Sequence, residues 1–289
     1  MRYEGRIFRP PSEAHSLIVQ ATVGCSHNQC TFCSMYKEKQ FHMRDLQAVL
    51  ADLKEMAELY PRVKRIFLAD GDALILPIKR LEAILELIRE KFTECERVGI
   101  YGSPRSILRK TPQELALLHE LGLGIVYLGL ESGSDEILKK INKGETADEI
   151  ITAGLKIKQA GIPLSVTAIS GIGGKELWRE HAVKTGEAFT RMKPDYIGLL
   201  TLMLEDDVPL EQDYKAGRFA PLGPEEVALE TLVMLEHMDC EGSVFRSNHA
   251  SNYISLRGTL NADRERMTEQ LRSALKGNVE YKKETMRAL

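Results

Sequence analysis

The chain has 289 residues, 43% of them apolar and 28% charged, with a net charge of −3. That balance is the composition of a globular protein with a substantial core; it argues against a basic nucleic-acid footprint, and no apolar run approaches the ~20 residues of a membrane span. The opening stretch MRYEGRIFRPP has no continuous apolar segment of a secretory signal, so the cytoplasm is the expected compartment, with no membrane partner.

Short apolar strands alternate with amphipathic helices. Residues 17–23 (LIVQATV) are rich in β-branched side chains and predict a buried strand. Leu46, Val49, Leu50, Leu53 and Met56 then repeat at helical spacing across 44–60. A strand over 65–69, a helix over 78–91, a strand over 98–101, a helix over 112–121 and a strand over 125–130 follow. Helices are expected over 134–141 and 147–160, the second opened by the capping-box pattern Thr146-Ala147-Asp148-Glu149. The series closes with a strand over 164–169, a helix over 176–191 and a strand over 196–203.

Six β/α steps with nearly continuous apolar strands predict a parallel sheet. A complete eight-unit barrel takes ~250 residues, and here the pattern stops near residue 204. The expected fold is therefore α/β, a partial (β/α)6 TIM-like barrel over 1–204. A C-terminal extension over 205–289 would pack on the barrel and cover the substrate, since no Gly/Ser-rich linker separates them. The extension reads as a polar loop and two helices, 224–238, begun by Pro224-Glu225-Glu226, and 262–275.

The cysteines are Cys25, Cys30, Cys33, Cys95 and Cys240. An odd count without a signal peptide argues against a disulfide framework. Three lie in Gly24-Cys25-Ser26-His27-Asn28-Gln29-Cys30-Thr31-Phe32-Cys33, directly after the first strand. In a parallel α/β barrel, the loops after strands form the active-site face. Thiolates select Zn, Cu(I) or Fe–S. A structural zinc site and an electron-transfer [4Fe–4S] cluster each take four protein ligands, whereas three would leave one iron open to a substrate or cofactor. Cys95 follows a helix, which puts it at the opposite barrel end; Cys240 has no clear place. A zinc knuckle completed by His27 or His42 is the other reading of this loop.

The loop resembles that of the radical S-adenosylmethionine (SAM) superfamily, whose usual motif is CX3CX2C with an aromatic residue before the last cysteine, here Phe32. The spacing in this chain is CX4CX2C, one residue longer, which marks a subgroup. The resemblance covers roughly residues 15–205 and extends to later strand ends. Asp70-Gly71-Asp72 resembles the GGE-type segment that meets the SAM methionine group, and is also a common turn sequence. Ser103-Pro104-Arg105 offers a hydroxyl and a guanidinium, and Arg105 would clamp the SAM carboxylate or lie free on the surface. In Gly129-Leu130-Glu131-Ser132-Gly133-Ser134, Glu131 would bind the SAM ribose or amine, or form a rim salt bridge. Ile169-Ser170-Gly171-Ile172-Gly173-Gly174 resembles the adenine-contacting GXIXGXXE segment at Ile169 and Gly171, with glycine at its acidic position. It lacks the lysine followed by Ser or Thr of a P-loop.

The resemblance implies a [4Fe–4S] cluster on Cys25, Cys30 and Cys33, with SAM on the open iron. It implies a reduced flavodoxin or ferredoxin as electron donor, and reductive cleavage to a 5′-deoxyadenosyl radical that takes hydrogen from a small-molecule substrate. It also implies oxygen sensitivity. Substrate contacts are expected from the polar segment 245–253, at Arg246, Asn248, His249 and Asn252, a segment that also reads as an ordinary connection. Glu205, Asp206 and Asp207 close the sixth strand as a solvated acidic loop or as part of the site. No second cysteine cluster marks an auxiliary Fe–S domain, the short N-terminal lead leaves no room for a cobalamin domain, and the weak basic character argues against a tRNA-modifying methylthiotransferase. Two other classes fit the residues: a non-catalytic Fe–S electron carrier or sensor with a fourth protein ligand, and a zinc-dependent barrel enzyme.

Overall fold

The computed structural model of the chain describes residues 2–288, which form two compact units. The first comprises the chain up to Asn28, Met35–Leu128 and Ala153–Leu164; the second comprises Gln29–Ser34, Gly129–Thr152 and the chain from Ser165 onward. The fold is α/β with a mostly parallel central sheet. Among the described residues no helix is long and apolar enough to cross a membrane.

The first unit begins with β1 (Leu17–Gln20), β2 (Thr22–Val23), β3 (His42–Met43) and α1 (Leu46–Leu59). It continues through β4 (Arg65–Ala69), α2 (Ile78–Lys91), β5 (Arg97–Tyr101), α3 (Pro104–Arg109), α4 (Pro112–Glu120) and most of β6 (Leu123–Glu131). Strands β1, β4, β5 and β6 lie side by side and parallel. Val19, Ile66, Phe67 and Leu68 are completely buried, as strands covered on both faces require. In α2, Leu81, Ile84, Leu85 and Ile88 form one buried stripe at helical spacing. Asp45 caps α1 by accepting from Ala48 N at 3.0 Å, and Thr111 and Glu114 close a capping box on α4.

Phe67, Tyr101 and Tyr127 meet edge to face, with centroids 5.0–6.0 Å apart. Glu13, fully buried, accepts from Ser16, Arg97 and the Tyr127 hydroxyl. A carboxylate at that depth is tolerable because a guanidinium and two hydroxyls replace its water.

Two expectations for this unit change. The strand over 17–23 is broken at Ala21, whose N–H donates to Ala69 O while its carbonyl accepts from Arg44 N. Thr22–Val23 leaves the parallel ladder and pairs antiparallel with His42–Met43. β-Branched residues suit either ladder, so the available partner decides. Helix α3, unexpected from the sequence, holds six residues and is too short to display a period; Ser103 caps it by accepting from Ser106 N at 3.1 Å.

The second unit contains α5 (Asp135–Lys140), the start of α6 (Ala147–Gln159), β7 (Leu164–Ser170), α7 (Gly174–Met192), β8 (Tyr196–Thr201), α8 (Pro209–Lys215), α9 (Pro224–Glu236), β9 (Val244–Ser247), β10 (Leu256–Thr259) and α10 (Arg264–Leu275). The capping box at Thr146 and Glu149 forms as expected. Strands β7, β8 and β9 run parallel, and β10 closes the row antiparallel to β9. The polar segment expected after residue 245 thus begins as a strand. Phe245 fills the buried face beside Ile197, and the polar residues alternate onto the other. The sixth strand ends at Thr201 rather than 203, and just beyond it the Leu202 carbonyl accepts from Arg287 at 2.7 Å.

Candidate active site

In the first unit, two buried aspartates fasten the chain around Cys25. Gly24 N donates to Asp70 Oδ2 at 3.1 Å, and Gly71 N donates back to Gly24 O at 3.1 Å. The same Asp70 oxygen accepts from Gln20 at 3.1 Å and from the Lys39 ammonium at 2.6 Å, while its Oδ1 is buried without a hydrogen-bond partner. Asp72 accepts from Ser26 Oγ at 2.6 Å, Ser103 Oγ at 2.8 Å and Ser103 N at 2.9 Å. It therefore ties the residue after Cys25 to the end of β5. A side chain at Gly71 would stand 2.8 Å from the Tyr36 ring and 3.0 Å from Cys25 Cβ. Only glycine lets this backbone lie against the cysteine.

Asp70 and Asp72, expected as cofactor contacts, thus hold the loop itself, and Ser103 serves Asp72 and caps α3. Arg105 projects, exposed, from the first turn of α3. Lys39 and Lys110 were not singled out from the sequence. Lys110 is buried, and that burial pulls its ammonium below the usual lysine range against the opposing charges of Glu114 and Asp72. No motif marks either lysine; only packing brings them to these carboxylates.

In the second unit, the loop carrying Cys30, Phe32 and Cys33 is held at both sides of Thr31. Its N–H donates to Ile141 O at 2.9 Å, and its carbonyl accepts from Leu210 N at 3.0 Å. Glu131 ends β6 in the left-handed region, with φ of 59°, a strain of about 1–3 kcal/mol that surrounding structure must impose. Lys143 donates to its Oε1 at 2.8 Å, with both side chains nearly buried. Burial works against the Lys143 ammonium, but the charges of Glu131 and then Cys30 outweigh it and hold the ammonium above its ordinary range. A side chain at Gly129 would displace this pair.

Behind Glu131 lies a fully buried polar network. Ser132 Oγ and His181 Nδ1 are 2.9 Å apart, and Glu230 Oε1 accepts from Gly171 N at 2.8 Å. Gly171, with φ of 82°, opens the glycine-rich turn after β7. His181 Nε2 lies 3.8 Å from Glu230 Oε1, beyond hydrogen-bond reach. Burial pushes Glu230 up to about 8 and His181 down to about 3, so both are neutral at pH 7. Ile169 is half-buried.

These two shifts set the pH dependence of stability with opposite signs. Folded Glu230 holds its proton more tightly than unfolded chain, so its contribution declines as pH rises from about 4.5 to about 8. Folded His181 resists protonation, so its contribution declines as pH falls from 6.5 to about 3. The two slopes cancel in the middle, and a net loss of roughly 2 kcal/mol is expected between pH 6.5 and 8. Urea midpoints should show that loss in the native chain and a flat profile over the same interval in Glu230→Gln.

Of the residues expected at the substrate, Asn252 has both amide ends occupied, donating to Leu199 O at 2.9 Å and accepting from Thr201 Oγ1 at 2.8 Å. His249 pairs with Ser251 Oγ at 2.9 Å, and burial holds its imidazole below the usual range. Arg246 and Asn248 are exposed. Glu205 is half-buried, which raises its carboxyl above the usual range; Asp206 and Asp207 are exposed.

None of the five cysteines is in a disulfide. Among the described residues no three His, Cys, Asp or Glu side chains are drawn together as a metal site. The donor chemistry of the loop fits an Fe–S cluster, with its thiols partly exposed and Gly71 leaving room beside Cys25. Cys95 precedes β5, with its thiol 3.6 Å from Arg97 O, and Cys240 is fully buried with its thiol pushed up to about 11 by that burial.

Residues 19–185 match the model of the Radical SAM superfamily. The tRNA-2-methylthio-N(6)-dimethylallyladenosine synthase of Alkalilimnicola ehrlichii is 27% identical over 228 residues, 71% of this chain and 49% of that one. The heme chaperone HemW of Lactococcus lactis is 22% identical over 187 residues, 63% of this chain and 48% of that one. The chain spans about half the length of these curated relatives. Among solved structures, methylornithine synthase (PylB) superposes with a TM-score of 0.57 at 15% identity, covering 89% of this chain and 68% of its own. Coproporphyrinogen III oxidase (HemN) from Escherichia coli, described as a radical SAM enzyme, superposes at 0.58 and 16% identity, covering 76% of this chain and 52% of its own. At these identities the superpositions establish the expected α/β fold. The match to the family model extends over more than half of the 289 residues, from β1 into α7, and on it the chain belongs to the radical SAM superfamily.

Proposed function

We propose that Cys25, Cys30 and Cys33 hold a [4Fe–4S] cluster at which SAM is reductively cleaved to initiate chemistry on a small-molecule substrate. The observation that supports this reading is the seating of the Cys25 segment, through Gly71 packed on Cys25 and Asp72 bound to Ser26. When bound, the cluster and SAM would supply electron transfer to the sulfonium and hydrogen abstraction by the 5′-deoxyadenosyl group.

The chain's own part is to bind, orient and exclude water. Asp70 and Asp72 hold the backbone on either side of Cys25, at Gly24 and Ser26. Arg105, exposed in the first turn of α3, would meet a carboxylate, and Phe32 would shield the last cysteine. Glu131, strained and paired to Lys143, presents a fixed acceptor for an amine or ribose hydroxyl. Ile169 and Gly171 offer an apolar side chain and an open backbone for a flat base, with the turn anchored by Glu230. A reduced flavodoxin or ferredoxin would supply the electron, and the cytoplasm is the compartment in which both are available.

The test is anaerobic reconstitution with iron and sulfide, then addition of dithionite and SAM. A brown protein that releases 5′-deoxyadenosine is expected. A colourless one-metal protein, or a cluster that leaves SAM intact, would replace this reading with a zinc enzyme or an electron carrier.

A further inference from the structure

Four neighbouring strands of the second unit place Thr167, Gly198, Arg246 and Arg257 in one row. Thr167 pairs with Gly198, Gly198 with Arg246, and Arg246 with Arg257. Residues in register on adjacent strands point to the same face. The alternate residues Ile197, Leu199 and Phe245 are buried, so the row lies on the opposite face, where both arginines are exposed. Two arginines therefore stand directly across an antiparallel pair. Like charges in that position destabilise a sheet, and arginine cannot shed its charge.

Among the described residues no carboxylate relieves the repulsion. Arg246 Nη1 donates only to its neighbour's carbonyl, Phe245 O, at 3.1 Å, and neither guanidinium has a carboxylate partner among the described residues. Asp263, the nearest acid in sequence to β10, packs beside Gly258, on the other face of the strand, and is bound to Thr259 N and Arg266. Beside the pair the surface is open. A side chain at Gly198 would meet a single atom within 4 Å, the Thr167 hydroxyl at 3.5 Å. A pair of forked donors, a vacant floor and a hydroxyl make a site for an oxyanion.

We propose that Arg246 and Arg257 form an anion-binding subsite, and that the substrate of this enzyme carries a carboxylate or phosphate group that this subsite holds. The word substrate rests on the function proposed above; the binding site rests on the row alone. One bound oxyanion bridging both guanidiniums converts the cross-strand repulsion into two charge-assisted contacts.

The experiment is calorimetric titration of the reconstituted protein at low ionic strength with sodium pyrophosphate and, separately, with glutarate. At least one anion should bind, and the stronger of the two identifies the phosphate or the carboxylate source. Arg246→Gln and Arg257→Gln should each weaken that binding roughly tenfold or more, and Arg257→Lys should restore part of it, since charge is kept and the fork is lost. Thermal melting separates this from a structural role: without anion, Arg257→Gln should melt no lower than the native chain because the repulsion is relieved. Absence of binding by both anions, or binding unchanged in the double glutamine variant, overturns the proposal. So does salt-sensitive binding of bulk tRNA with no response to either small anion, which would make the pair a nucleic-acid contact. The titration uses no SAM and no turnover, so its failure and a failure to form 5′-deoxyadenosine are separate results.

Discussion

Cys33→Ala is expected to abolish cluster incorporation and to reduce 5′-deoxyadenosine formation by more than ~100-fold, since losing a direct ligand exceeds the ~10–100-fold cost of losing a ligand's hydrogen-bond partner. The same loss is expected for Cys25→Ala and Cys30→Ala, because the loop brings three thiols and an Fe–S cluster normally takes four ligands. Cys95→Ala and Cys240→Ala are the controls. Cys95 is placed before β5 with its thiol turned to Arg97 O, and Cys240 is a buried apolar contact whose thiol is held protonated. Iron and sulfide content, visible absorbance and deoxyadenosine release measure all five variants. Retention of a full cluster in Cys33→Ala, or its loss in Cys95→Ala, would show that the ligand set is a different one.

The second large effect is on stability. Lys143→Met should destabilise the chain by about 3–5 kcal/mol, the cost of leaving one partner of a buried ion pair uncompensated. The Glu131 carboxylate is nearly buried, sits in a strained backbone conformation and has Lys143 as its close cation at 2.8 Å. The double variant Lys143→Met/Glu131→Gln should recover most of the loss, since a neutral amide carries no charge to desolvate. Urea unfolding of the two variants and the native chain measures this. Equal stability of Lys143→Met and the native chain would mean that the pair is solvated and that Glu131 is not preorganised.

Most of the parallel architecture is legible in the residues. Helix 78–91 coincides with α2, and the strand over 65–69 with β4, because continuous apolar strands and a complete helical stripe leave little choice. The clustering of three cysteines within nine residues is equally legible, and none of the three is in a disulfide. Strands β9 and β10 escaped because Val244–Ser247 and Leu256–Thr259 are four residues each, with polar residues or glycine at five of their eight positions. Their apolar signal, Val244 and Phe245 in one and Leu256 in the other, is too short a run to be told from a polar connection.

The roles of individual polar residues were less accessible. Asp70, Asp72 and Asn252 look in sequence like groups available to a ligand, yet each is largely spent on its own protein's backbone and side chains. Lys143 and Glu230 carry no motif, though one holds Glu131 and the other the glycine-rich turn.

The sequence alone determined the α/β alternation, the place of the thiols after the first strand and the family that those features mark, because each is written in periodicity or in spacing along the chain. Tertiary structure alone decided which carboxylates are occupied, which lysines compensate them, and that Arg246 stands opposite Arg257. Those facts depend on register and burial between residues far apart in the chain, where one residue of slip would turn each side chain to the other face.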